Sequence, residues 1–226
     1  MSFVILVGTQ GRMSQALQNL LQRRKISYKI FGAPGKTREI ETFDGASGVI
    51  DFSLPAATSE ILEKAVAAKV PVVCGTTGWT QPAIFSSLFQ TAAQKIPIVW
   101  DSNFSLGIEL LCQSLENLAL HCDGPFEILD RHHIHKKDAP SGTALKIKAR
   151  IEAANPKAVC EIESIREGED AGEHRVSLRF GDESLELSHQ AYSREIFAAG
   201  ALKALEWVQN QPAGLYSMKE VIDVIH

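Results

Sequence analysis

Over the first hundred residues, short β-branched or aromatic runs alternate with stretches whose apolar positions recur every three to four residues. Phe3 to Val7, Ser27 to Phe31, Gly48 to Phe52, Pro71 to Cys74 and Pro97 to Trp100 read as strands, and Arg12 to Arg24, Ala56 to Ala68 and Gln81 to Gln94 as helices. Strand-helix alternation of this kind predicts a parallel sheet covered on both faces. After Asn103 the rhythm changes. A long helix from Leu106 to Leu120 precedes a strand from Phe126 to Asp130, a polar loop and a helix from Thr143 to Ala153. Val159 to Ile165, Arg175 to Phe180 and Ser184 to Gln190 then suit strands, with Gly181-Asp182 as a hairpin turn. Helical periodicity returns from Arg194 to Gln209, and Ser217 to Ile225 reads as a closing helix. The fold class expected is α/β: a Rossmann-like dinucleotide-binding domain over 1–103 plus 194–226, and a second α+β domain over 104–193 on a mainly antiparallel sheet.

Composition narrows the function classes. The chain has 226 residues, 45% of them hydrophobic, and a formal net charge of −4. That is enough to bury a sizeable core, and it argues against a nucleic-acid binder, which would carry a basic face. The apolar run after Met1 is too short to span a membrane and lacks the basic start and cleavage site of a signal peptide, so a cytoplasmic protein without membrane attachment is expected. Cys74, Cys112, Cys122 and Cys160 form no Cys-x-x-Cys pair and read as buried thiols rather than a metal or redox site.

Three stretches carry candidate chemistry. Gly8-Thr9-Gln10-Gly11-Arg12-Met13 puts glycines between the first strand and the first helix, whose free N–H groups can hold a pyrophosphate, with Arg12 adding a cation. The fingerprint is degenerate: Gln10 or Thr9 replaces its second glycine, and Ser14 stands near its third. No carboxylate for a ribose 2′-hydroxyl follows until Glu39. Lys36 or Arg38 offers a partner for a 2′-phosphate instead, which leans the cofactor choice between NADPH and NADH toward NADPH, although a solvated basic loop explains the same residues. Gly75-Thr76-Thr77-Gly78 and Ser102-Asn103-Phe104 fall at the carboxyl ends of later strands, the binding edge of a doubly wound sheet.

The third stretch, Asp130 to Ala144, joins three histidines and two lysines to a helix start. If the extended backbone persists, His132, Ile134 and Lys136 project to one side, and His133 and His135 to the other. Ser141, Gly142 and Thr143 place N–H groups at the positive end of a helix, a seat for a carboxylate, with lysine and histidine cations adding charge-assisted bonds. A solvated loop or a zinc site on His132, His133 and His135 competes with this reading. The zinc site lacks a carboxylate or thiol at ligand spacing and has lysines beside it, so no metal is expected.

These motifs, with Asp51-Phe52-Ser53, Ser193-Arg194 and Phe197-Ala198, make the chain resemble the dihydrodipicolinate reductases, also called 4-hydroxy-tetrahydrodipicolinate reductases, over nearly its whole length. The resemblance implies reduction of a cyclic dicarboxylate imine by NAD(P)H on the diaminopimelate route to lysine. It implies that Gly8 to Met13, Gly75 to Thr77 and Asp101, Ser102, Asn103 and Phe104 hold the dinucleotide, with Arg194 and Phe197 closing over it. It further implies that His132 and Lys136 handle the proton, that His133, Lys136, Ser141, Gly142 and Thr143 bind the substrate's carboxylates, and that the enzyme is a homotetramer. Two features depart from the family: the segment before Asp51 is short, and Leu54 stands where many members carry arginine. A different nicotinamide oxidoreductase or a dinucleotide sensor is the alternative. His132 and Lys136 speak against a sensor, and the absence of an activated cysteine speaks against a semialdehyde dehydrogenase.

Overall fold

The computed structural model describes residues 2–8, 11–32, 39–79, 82–169 and 172–223, without the side chains of 82–85. The chain forms two compact units, Met1–Phe104 with Glu195–His226, and Ser105–Arg194.

The first unit holds a six-stranded parallel sheet made of β1 (Phe3–Val7), β2 (Tyr28–Phe31), β3 (Ala46–Asp51), β4 (Val72–Cys74), β5 (Pro97–Trp100) and β10 (Gly214–Tyr216), in the order β10-β5-β4-β3-β1-β2. The sequence reading missed β10, a three-residue edge strand too short to show a period. The pleat divides the central strands. Ile5, Val7, Val49, Val72 and Ile98 pack with Ile61, Leu62 and Ala65 of α2 (Thr58–Ala68) and Phe89, Ala92 and Ala93 of α3 (Pro82–Ala93). On the other face, Gly48 lets Leu205 of α6 (Glu195–Val208) lie directly on the backbone, since a Cβ there would stand 2.3 Å from Leu205 Cδ1. Helix α1 (Arg12–Arg23) packs beside α6 and buries Ser14, Leu17, Leu20 and Leu21, an i, i+3, i+6, i+7 stripe. The closing helix is described as far as residue 223. It runs over α7 (Met218–Asp223), and Ser217 and Glu220 form a capping box at its start: Ser217 N donates to Glu220 Oε2 at 2.8 Å and Lys219 N to Ser217 Oγ at 3.2 Å.

The second unit is a four-stranded sheet under two helices. Its strands β6 (Phe126–His132), β7 (Cys160–Arg166), β8 (Gly172–Phe180) and β9 (Glu183–Ala191) run in the order β7-β6-β8-β9. The β6–β7 pair is parallel and bridged by α5 (Gly142–Ala154), as a parallel crossover requires; the other two pairs are antiparallel, with the predicted hairpin between β8 and β9. Ile108, Leu111, Cys112 and Leu115 of α4 (Leu106–Ala119) and Ala144, Ile147 and Ile151 of α5 cover Phe126, Ile128, Val176 and Leu178. Between the helices lies a fully buried Glu109, paired with Lys146 at 2.9 Å and Arg150 at 2.7 Å; Arg150 also bonds Glu116. Three cysteines are buried as expected, but Cys122 is only half-buried.

Candidate active site

The first unit gathers four of its loops at the carboxyl edge of its parallel sheet, where β1 separates strands that run off in opposite directions. Gly8 leaves β1 at φ +93°, a conformation that favours glycine, and its N–H donates to Phe31 O at 3.1 Å. Ser14 Oγ donates to Gly8 O at 2.7 Å and ties the turn to the helix behind it. Gly11 caps α1 without a side-chain bond, no acid occupies the first turn, and a Cβ at Gly11 would meet nothing within 4 Å. An uncapped helix start with open space before it fits a pyrophosphate. Arg12 is exposed on that first turn and Met13 half-buried. Thr9 and Gln10 lie outside the described residues, as do Lys36 and Arg38, on which the NADPH lean rests.

The loops after β3 and β4 are locked together by Asp51, a residue for which the sequence reading had no role of its own. Its Oδ1 accepts from Ser53 N at 2.9 Å and from Ser53 Oγ at 2.6 Å; Ser53 N also donates to Thr76 Oγ1 at 3.1 Å, and Gly75 N to Asp51 O at 2.8 Å. Burial pushes the Asp51 carboxyl pKa up, against the bonds from Ser53 that lower it. Burial, and then Asp51 itself, raise the Cys74 thiol well above its ordinary value, which removes it as a nucleophile. Gly75 is required by packing, since a Cβ there would lie 2.1 Å from the Phe52 ring; that ring stands edge-on to Phe104 at 5.3 Å. Thr76 is buried and Thr77 exposed. Asp101 spends its oxygens inside the unit, on Asn103 N and Met218 N, both at 3.1 Å, so it shapes its loop. Asn103 is buried and Ser102 exposed beside it. Phe197 is half-buried on the first turn of α6, and Arg194 ends the second unit.

In the second unit the predicted alternation beyond Asp130 fails. Strand β6 ends at His132, and a turn closed by Lys136 N to His133 O at 3.1 Å follows. His132 and His133 are therefore both buried, while Ile134 is 63% exposed and His135 lies in solvent. Lys136 Nζ reaches both oxygens of Asp138, at 2.8 and 2.9 Å. Burial tends to raise the Asp138 carboxyl, but the bond and charge of Lys136, a backbone bond and the Arg166 charge together hold it below its ordinary value.

Ser141 caps α5, its Oγ accepting from Ala144 N at 3.1 Å. Its own N–H is not available to a ligand, contrary to the sequence expectation: it donates to Asp130 Oδ2 at 2.8 Å. The open point of the helix start is therefore Gly142, where a Cβ would meet nothing within 4 Å.

Asp130 is the centre of this unit's polar network. It lies on the inward face of β6, two residues before His132, and the antiparallel register sets it opposite His174 of β8. Its Oδ1 lies 3.0 Å from His132 Nδ1 and 3.3 Å from His174 Nε2. Arg166 donates to Oδ2 at 2.8 Å and also to Asp138 O, anchoring the loop that carries Lys136. Burial alone would raise the Asp130 pKa, yet the bonds from His132, His174, Arg166 and Ser141 hold it far below the usual carboxylate range. Burial lowers His174, against the pull of Asp130, and His174 Nε2 also faces Ser141 Oγ at 3.2 Å. Nearby, His189 Nε2 faces Ser105 Oγ at 3.1 Å and is lowered by burial and by His174. The side chains of Asp130, His132 and His174 bring ligand-type atoms within 4.8 Å of one another, a different set from the histidines weighed for zinc. The Arg166 guanidinium on the same carboxylate opposes a cation there. His174 and Arg166 escaped the sequence reading. The only available signal was the period-2 pattern that puts His174 in line with Val176 and Leu178.

A Rossmann-type sheet with an open glycine turn before its first helix, and a unit in which buried histidines and a lysine stand by a helix start, fit a two-unit nicotinamide-dinucleotide oxidoreductase. Family descriptions agree: "Dihydrodipicolinate reductase, N-terminus" matches residues 23–104 and "Dihydrodipicolinate reductase, C-terminus" residues 107–222. The 4-hydroxy-tetrahydrodipicolinate reductase of Bdellovibrio bacteriovorus is 35% identical over 96% of this chain and 94% of its own. That of Zymomonas mobilis is 37% identical over 96% of this chain and 95% of its own. A solved dipicolinate-bound dihydrodipicolinate reductase from a Paenisporosarcina species shares the fold, with a TM-score of 0.74 at 18% identity, covering 96% of this chain and 98% of that one. The chain belongs to the dihydrodipicolinate reductase family, a family of NAD(P)H-dependent enzymes. Among the described residues no helix is long and apolar enough to cross a membrane.

Proposed function

We propose that this chain reduces 4-hydroxy-tetrahydrodipicolinate to tetrahydrodipicolinate with NAD(P)H, on the diaminopimelate route to lysine, in the cytoplasm. The observation that carries the site assignment is the convergence of His132, His133 and Lys136 on the turn that leads to the open start of α5. When bound, the nicotinamide supplies a hydride to C4 of the cyclic dicarboxylate imine as water leaves. His132 and Lys136 are the proton-handling pair for the enamine that results. His133, Lys136, Ser141, Gly142 and Thr143 bind the carboxylates, with Ser141 acting through its cap on α5 while the N–H groups at the helix start and the lysine ammonium offer charge-assisted bonds. In the substrate-free chain Asp138 occupies the Lys136 ammonium, and a substrate carboxylate exchanges with it.

The dinucleotide belongs to Gly8 through Met13, Gly75 to Thr77 and Asp101 to Phe104, with Arg194 and Phe197 closing over it. The preference for NADPH rests on Lys36 and Arg38; Leu54, an exposed apolar side chain beside this edge, offers no charge to a phosphate. A homotetramer is supported by the open face of the second sheet, where Glu127, Glu161 and Glu163 share a surface with Arg175 and Ser177, a mixed-charge face suited to a second copy. Light scattering of the purified protein reads the assembly directly.

The deciding experiment follows oxidation of NADH and NADPH with freshly generated 4-hydroxy-tetrahydrodipicolinate. Lys136→Ala and His132→Ala are each expected to lower kcat on the order of 10²–10⁴-fold while dinucleotide affinity stays unchanged. Absence of turnover by the unaltered chain with either cofactor sinks the assignment.

A further inference from the structure

Asp130 is closed off from solvent; Ser141 N, Arg166 Nη2 and Ser164 Oγ donate to its Oδ2, while Oδ1 faces His132 Nδ1 at 3.0 Å and His174 Nε2 at 3.3 Å, close but not yet aligned for a hydrogen bond. An ionised carboxylate can only accept, so the histidine nitrogen that faces it carries the hydrogen. For His132 that nitrogen is Nδ1, and the neutral ring then offers its lone pair at Nε2. The ring is buried, and its Nε2 edge lies against Gly172 of β8, where a Cβ would stand 2.6 Å away, so only glycine leaves room for the ring there. The groups facing His132 are Asp130 on its own strand, His174 from β8 at a ring separation of 5.1 Å, Arg166 from β7 through Asp130, and Lys136 beyond the following turn.

We propose that Asp130 is the positioning residue of the reaction: by holding Nδ1–H it fixes the tautomer and ring plane of His132 and leaves Nε2 as the atom that exchanges the proton with substrate. This deepens the role given to His132 above and rests on it. The arrangement is stiff because Oδ2 is anchored independently by Arg166, which also grips Asp138 O, and by the first residue of the α5 cap.

Asp130→Asn separates positioning from structure. The amide oxygen can keep the Arg166 and Ser141 bonds, while the NH₂ turns a donor toward His132 Nδ1 and demands the opposite tautomer. The expected result is a fall in kcat on the order of 10²-fold with KM changed by less than about threefold, and recovery of at least about tenfold in Asp130→Glu. Combined with His132→Ala, Asp130→Asn should cost nothing further, because both remove one device. Nitrogen-15 spectra of histidine-labelled protein above pH 8 should show His132 protonated at Nδ1 in the unaltered chain and at Nε2 in Asp130→Asn. Full turnover in Asp130→Asn, losses that multiply in the double variant, or an Nε2-protonated His132 in the unaltered chain each overturn the inference. The last measurement needs no variant to fold. Failure of the underlying reading shows differently: His132→Ala keeps full turnover although the tautomer is as expected.

Discussion

Among the described residues, the first unit buries two carboxylates, Asp51 and Asp101, both at the loop edge of its sheet, whereas the second buries Glu109, Asp130 and Glu173 together with His132, His133 and His174. The first is a Val, Ile and Leu sheet whose loop edge is made of glycines, backbone and small hydroxyls. The second threads ionic networks through its interior. Backbone and shape suffice to hold a dinucleotide, since a helix start and close approach are what a pyrophosphate needs. Moving a proton needs side chains with controlled ionisation, and buried charge controls it at the cost of making every partner indispensable.

Removing a partner is the strongest way to break this contrast. Glu109→Ala leaves Lys146 and Arg150 without their buried counter-charge and should cost about 3–5 kcal/mol in urea unfolding. A loss below about 1 kcal/mol would mean the second unit tolerates uncompensated charge as readily as a surface does. In the first unit the largest vulnerability is steric. A Cβ on Gly200 of α6 would stand 1.7 Å from the Phe104 carbonyl oxygen, and backbone cannot yield as a side-chain tip can. Gly200→Ala should therefore lower stability by about 1–3 kcal/mol.

Acid sharpens the comparison with a smaller effect of known sign. The folded-state pKa of His174 is depressed, so below about 6.5 the unfolded chain takes up a proton that the folded one refuses, and stability falls. Asp130, also depressed, adds stability that is complete above the ordinary carboxylate value and drains away as pH drops below about 4. Asp51 runs the other way: its raised pKa means the folded state binds the proton first, and falling pH through that window favours folding. Hydrogen exchange at successively lower pH should show β6 and β8 losing protection before β1 and β3. The reverse order would refute the assignment of acid sensitivity to the second unit.

Much of this was legible in the chain. The apolar runs of β1, β3, β4 and β5 announce a parallel sheet because strands covered on both faces need no alternation. The run from His132 to Thr143 marked a candidate site because its residue types sit next to one another. What failed was anything that depends on where the backbone turns. Extending the pleat of β6 past His132 put Ile134 on the side of His132; the turn after His133 instead buries both histidines and expels Ile134. Strand β10 was missed because three residues show no period, and its place is set by pairing with β5.

Local periodicity and motif spacing, both properties of near neighbours, thus determined the two-unit α/β architecture, the glycine turn before α1 and the presence of His132, Lys136 and the α5 start. Only tertiary structure decided that Asp130 faces His174 across 44 positions, that Arg166 joins them from a third strand, and that Ser141's N–H is spent on Asp130 rather than offered to a ligand. Strand register, which joins segments distant in the chain, creates those contacts by bringing their residues to one point of the sheet.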